Sequence, residues 1–261
     1  MKKLLAMVLA LMMVFSLTAL ASAEESDMAY IKDKGKLTIG ITLFAPMNYY
    51  EGDTLVGFDT ELATAVAEKL GLEVEFIEIN WDSKEIELNS KNIDCLWNGM
   101  CITPERKENM AVSDPYLYNT QAMVMKADQA EAILADVSGK TVVAEATSTG
   151  EQKLQGTIPD DETVEVSAKE YFANCTYIPV DSMAKALMEV KAGTADIALV
   201  DSVCALVVDM SNNFGLQEYG IAFRKGSDMV EAVNAAIAEL TEDGTVAEIA
   251  ERYGLTDSLI K

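Results

Sequence analysis

Histidine is missing from all 261 residues. That absence removes Ser-His-Asp and Cys-His catalysis and histidine-built metal sites from consideration. Cysteine is scarce: Cys95, Cys101, Cys175 and Cys204 are the four, and no two stand in CxxC spacing. Basic residues are also few, 20 Lys and Arg against 43 Asp and Glu, for a formal charge of −23. Such a field repels nucleic acid and anionic membranes, so neither is expected as a partner. Past the first 23 residues no apolar run reaches the ~20 residues of a membrane-spanning helix, and no membrane insertion of the mature chain is expected.

The opening residues have their own pattern. Lys2 and Lys3 precede an apolar run from Leu4 to Leu20, closed by the small residues Ala21-Ser22-Ala23. This reads as a signal peptide over residues 1–23, followed by an acidic leader over 24–29. The mature protein is therefore expected outside the cytoplasmic membrane, periplasmic or extracellular at the cell surface. Export permits disulfides. Cys95 and Cys101 read as core and site-loop residues, which leaves a Cys175–Cys204 bridge as the candidate pairing. Half the residues are hydrophobic, enough to bury the core of one large or two modest domains.

Periodicity gives an α/β chain. Leu37–Ile41 and Glu73–Ile79 alternate as strands, and Thr42–Tyr50 between them reads as a loop presenting Phe44 and Tyr49. Gly57-Phe58-Asp59 opens a helix that Gly71 stops, and Ser83–Ser90 reads as a short helix. The apolar run Ile93–Trp97 predicts a buried strand ending at Asn98-Gly99, a place where open α/β sheets bind ligands. Thr103 and Pro104 then start a helix by capping and by proline at its first position. Arg106 on its first turns offers a fork that suits a carboxylate.

Gln121–Lys126 and Lys140–Ala144 are further strands. The turn Glu145–Gly150 then opens a helix whose first N–H groups can face an anion. Ser182–Lys191 is a helix, Asp196–Val200 a strand ending at Asp201-Ser202, Tyr219–Phe223 the last strand, and Thr245–Tyr253 the last helix. Asp94 and Gly99 bracket one central strand as Asp196 and Asp201 bracket another, which suggests two similar halves with strand ends facing each other.

Several words in this chain match a known family in order. They are Gly57-Phe58-Asp59-Thr60-Glu61-Leu62, Gly99 to Arg106, Val112-Ser113-Asp114-Pro115-Tyr116, Ala195 to Ser202, and Tyr219 to Phe223 with Lys225-Gly226-Ser227. Through them the chain resembles the bacterial amino-acid-binding proteins of ABC importers, solute-binding protein family 3. The resemblance implies the type II periplasmic-binding-protein fold: two α/β lobes joined by two hinge strands, with the ligand cleft between them. Residues 30–117 with 219–261 would form the first lobe and 121–217 the second, with hinges near 118–120 and 217–219.

It also implies roles. Arg106 would bind a ligand α-carboxylate, helped by backbone groups at Cys101 and Thr149. Asp201 would bind the α-ammonium, helped by the Gly99 carbonyl. Phe44 and Trp81 would sandwich the side chain, with Met100 and Ser148 as further contacts. Three departures stand out: Cys101 replaces the usual Ser or Thr, Thr147 replaces a glycine, and Glu145 puts an acid at the pocket's edge. If Glu145 faces the ligand, it favours a cationic or hydrogen-bonding side chain over glutamate and aspartate.

The implied function is capture of a free amino acid, polar in its side chain, and delivery to an ABC permease by a monomer without cofactor or covalent step. Two other readings share the scaffold, a cyclohexadienyl-dehydratase-like enzyme and a ligand sensor for a separate receptor.

Overall fold

Strand β1 (Lys36–Ile41) is buried along nearly its whole length, because neighbours cover both its edges and both its faces. In a computed structural model describing residues 26–159, 163–204 and 214–260, β1 pairs in parallel with β4 (Glu73–Glu78) and β5 (Cys95–Cys101). The sheet continues from β5 to the antiparallel β12 (Gln217–Phe223), giving the order β4-β1-β5-β12-β6. Strands β6 (Ala111–Val112) and β7 (Leu117–Asn119) both pair with β12. Between β1 and β4 lie a small hairpin, β2 (Tyr49–Glu51) with β3 (Thr54–Val56), and the helix Phe58–Leu70. A second sheet of four strands has the order β10-β9-β11-β8, from β8 (Gln121–Val124), β9 (Thr141–Glu145), β10 (Thr176–Val180) and β11 (Ile197–Asp201). The chain enters this sheet between Asn119 and Gln121 and is back in the first at Gln217, where β7 and β12 pair, Gln217 facing Asn119.

The correspondence between the halves has a physical basis in two aspartates. Asp94 lies just before β5 and donates its backbone N–H to Thr38, while its carboxylate accepts the Thr38 N–H at 2.8 Å. Asp196 treats Thr141 in the same way, with a carboxylate contact of 2.7 Å. Each aspartate thus sets the register of a central strand against its parallel neighbour. The far ends of β5 and β11, carrying Gly99 and Asp201, then meet at one cavity.

Several sequence expectations need correcting. The central strand does not stop at Asn98-Gly99 but runs on to Cys101, because β12 supplies a partner that local sequence cannot reveal. Its register against β12 shifts between Gly220 and Ala222, and Gly99 adopts a φ of +53° there. The acidic leader does not extend to residue 29: Ser26 caps a helix, Asp27–Lys34, by accepting the Ala29 N–H. Its first residues and the signal peptide lie outside the described residues. Tyr49 is not presented with Phe44; it belongs to the hairpin and meets Tyr253 edge-on at 6.5 Å. Cys175 and Cys204 are both free thiols. Cys175 donates to the Val137 carbonyl beside one core, and Cys204 lies against Met183 in another, so the candidate bridge does not form. No helix among the described residues is long and apolar enough to cross a membrane.

Candidate functional site

Arg106 reaches the cavity through the helix Pro104–Asn109. Thr103 caps that helix by accepting the Arg106 N–H at 3.2 Å, and Pro104 occupies its first position, as those residue types dictate. Arg106 is 3% exposed. Its Nη1 donates to the Cys101 carbonyl at 2.7 Å and to Thr149 Oγ1 at 3.5 Å, and Nη2 donates to the Thr147 carbonyl at 3.3 Å. It also stands 5.7 Å from the Trp81 ring centroid, a cation–π distance. Two of these acceptors come from the second sheet's half, so Arg106 bridges the halves.

Opposite it, Asp201 ends β11 and is 2% exposed. Its carboxylate accepts the Tyr219 hydroxyl at 2.7 Å and the Gln121 side-chain amide. Burial raises its pKa while these donors hold it down. Glu145 ends β9 and is equally buried, yet its Oε1 has no hydrogen-bond partner among the described residues. Burial, and then the nearby Asp201 charge, push its carboxyl up to about 8, with Lys84 and Arg106 opposing. The Cys101 thiol is pushed up to about 12, chiefly by burial, so at neutral pH it is neither thiolate nor nucleophile.

The wall behind these charges is fixed by a network around β5. Asn98 Oδ1 accepts the Thr42 N–H at 2.9 Å and its hydroxyl at 2.7 Å, while Nδ2 donates to the Thr42 carbonyl and to Asn48. All four of that amide's hydrogen-bonding positions are used, which pins the loop carrying Phe44. Where β5 shifts register against β12, the Gly99 N–H donates to Asp59 at 2.7 Å, and Asp59 also accepts the Tyr116 hydroxyl. Burial pushes the Asp59 carboxyl up to about 7 against those bonds.

Together these residues line one narrow cavity. Phe44, Trp81, Gly99, Cys101 and Arg106 line it from one half, and Glu145, Ser148, Thr149 and Asp201 from the other. Met100 does not: its side chain is fully buried in a core cluster with Leu88, Leu96 and Met110. Thr42, Asn98 and Met183 line the cavity without having been anticipated. Asn98 stood at the strand end already marked as a ligand-binding place and could have been found there; Met183 reads as an ordinary helix start. The chemistry on offer is one guanidinium and two carboxyls lining one cavity with aromatic walls. It suits a zwitterion carrying a further hydrogen-bond donor.

The chain is also similar to known proteins. Residues 37–256 match the family described as bacterial extracellular solute-binding proteins, family 3. The L-cystine-binding protein TcyA of Bacillus subtilis is 34% identical, with 94% of this chain and 96% of that protein covered. The arginine-binding extracellular protein ArtP of the same organism is 31% identical, over 97% of this chain and 98% of its own. An ABC uptake transporter substrate binding protein from Streptococcus pneumoniae, solved with bound histidine, superposes with a TM-score of 0.77 at 28% identity, covering 92% of this chain and 100% of that one. The matched stretch carries both sheets and the cavity between them, and the chain belongs to the bacterial extracellular solute-binding proteins of family 3.

Proposed function

We propose that this protein is an exported monomer that captures a free amino acid between its two halves and delivers it to the permease of an ABC importer. The observation that carries this reading is the pairing of buried opposite charges, Arg106 and Asp201, on facing walls of one cavity. Arg106 would take the α-carboxylate, and Asp201 with the Gly99 carbonyl the α-ammonium. Backbone groups at Cys101 and Thr149, with Ser148 beside them, would complete the carboxylate's surroundings. Phe44 and Trp81 would flank the side chain, and exclusion of water strengthens every polar contact between them. Residues 30–117 with 219–261 and residues 121–217 would act as lobes that swing about hinges near 118–120 and 217–219, ligand favouring closure.

Glu145 narrows the ligand class. Glu145 lines the cavity and its Oε1 is unpartnered among the described residues, so a cationic or hydrogen-bond-donating side chain gains a contact there, and a cationic one also favours release of the proton that burial holds on this carboxyl. Relatives named for binding arginine and cystine, and one holding histidine, are in keeping with this preference. The protein works by binding alone, in line with relatives named as binding proteins.

Thermal unfolding of ligand-stripped protein against a panel of amino acids tests the reading. Ligand at about 100 times its dissociation constant adds roughly 2.7 kcal/mol and raises Tm visibly. Stabilisation by arginine, histidine, cystine or glutamine is the expected result. No shift with any amino acid would overturn it, and turnover of prephenate or arogenate would replace it with a dehydratase.

A further inference from the structure

Thr147 adopts a φ of +57°, a left-handed conformation that β-branched residues rarely hold. Three contacts maintain it. Its N–H donates to Glu151 Oε2 at 2.5 Å, and its carbonyl accepts from Arg106 Nη2 at 3.3 Å. Its hydroxyl accepts from Lys84 Nζ at 3.0 Å. The last two donors belong to the opposite half.

Lys84 is an unusual donor for this position. It opens the helix Lys84–Asn89, lies 7% exposed, and forms no ion pair among the described residues. Its Nζ also donates to the Trp81 carbonyl at 3.0 Å and stands 5.0 Å from the Trp81 ring centroid. It does not line the ligand cavity. A buried ammonium without a carboxylate is retained only where its hydrogen bonds are well made. Here one of those bonds stays within its own half and the other crosses to Thr147.

We propose that Lys84 is a positioning residue for ligand retention: it ties the halves together at the Thr147 hydroxyl, outside the amino-acid contacts, and so slows release. The side chain that a glycine would lack at residue 147 is the half of this tie contributed by the second sheet's turn. The inference rests on the amino-acid-binding reading for its kinetics, but the closure it describes can be measured without ligand.

The test compares Lys84→Met, Thr147→Gly, Thr147→Ser and the Lys84→Met/Thr147→Gly double variant. Stopped-flow dissociation of the amino acid found by the thermal panel should be about tenfold faster in Lys84→Met and in Thr147→Gly, the scale of one hydrogen bond to a charged group. The double variant should be no faster than either single one, Thr147→Ser should keep the parent rate, and the ranking of amino acids should not change. Thr147→Gly relieves the backbone, so it keeps the test open if Lys84→Met folds poorly. Without ligand, small-angle X-ray scattering should give Lys84→Met a larger radius of gyration than the parent. Unchanged dissociation with unchanged scattering, additive effects in the double variant, or an altered ligand ranking would each overturn the tie. A panel that finds no ligand, with Lys84→Met still more open, would sink the amino-acid reading and leave the tie standing.

Discussion

At the scale of the residue, the site depends on charges that burial makes costly to strand. Replacing Arg106 with Ala would leave a bound carboxylate without its fork, and calorimetry should record a loss of roughly 2–4 kcal/mol in amino-acid affinity, given the penalty for an unpaired charge. Unchanged affinity would move the carboxylate site elsewhere. Glu145 gives a sharper test because its carboxyl is pushed up to about 8 from an ordinary value of 4.5. Between those values the folded protein holds a proton that the unfolded chain releases. Its contribution is therefore full below the unfolded pKa and is lost as pH rises towards 8, at no more than ~1.4 kcal/mol per pH unit. Urea denaturation of Glu145→Gln should show a flatter decline in stability from pH 5 to 8 than the parent. Parallel curves would mean that Glu145 titrates normally. Asp59 shifts in the same direction, but it is common to both proteins and cancels in the difference.

At the scale of the element, the register shift in β5 holds the site's shape. A Cβ added to Gly99 would stand 2.8 Å from Phe44 Cζ and 2.9 Å from Tyr219 Cε2, at a φ that already disfavours a side chain. Gly99→Ala should cost on the order of 2–3 kcal/mol in a denaturant melt, the sum of backbone strain and overpacking. A cost below ~0.5 kcal/mol would show that the strand relaxes freely. This strand also shows what sequence can and cannot tell. Thr103-Pro104 and the spacing to Arg106 follow from local capping chemistry, so the helix and its arginine were legible. Continuation of the strand past Gly99 depends on β12, whose paired residues lie well over a hundred positions later, and no local pattern carries that information. Met100 illustrates the same limit on a smaller scale, since its face could be assigned only once the strand was known to continue. Lys84 lay in an ordinary amphipathic stretch, and its role at Thr147 required the two halves to be placed together.

At the scale of the whole molecule, the formal charge of −23 sets a general repulsion against the compact state. Exposed pairs such as Lys36–Glu75 and Lys185–Glu189 weaken with salt, but each contributes little. Screening of the net field should win, and Tm should rise by a few degrees between 20 mM and about 0.5 M sodium chloride. A fall would mean that local pairs matter more than the global field.

The pairing of β7 with β12 has a mechanical consequence. The helix Asp27–Lys34 at one end of the described chain is tied to the first sheet's half by Arg224 to Asp27. At the other end Leu259 bridges to Leu117. Tension applied at these ends passes across the pairings of β12 with β5, β6 and β7, so the four-stranded sheet hangs outside the load path. Stretched in an optical trap, the six-stranded half should rupture first, and the other should bear force only afterwards.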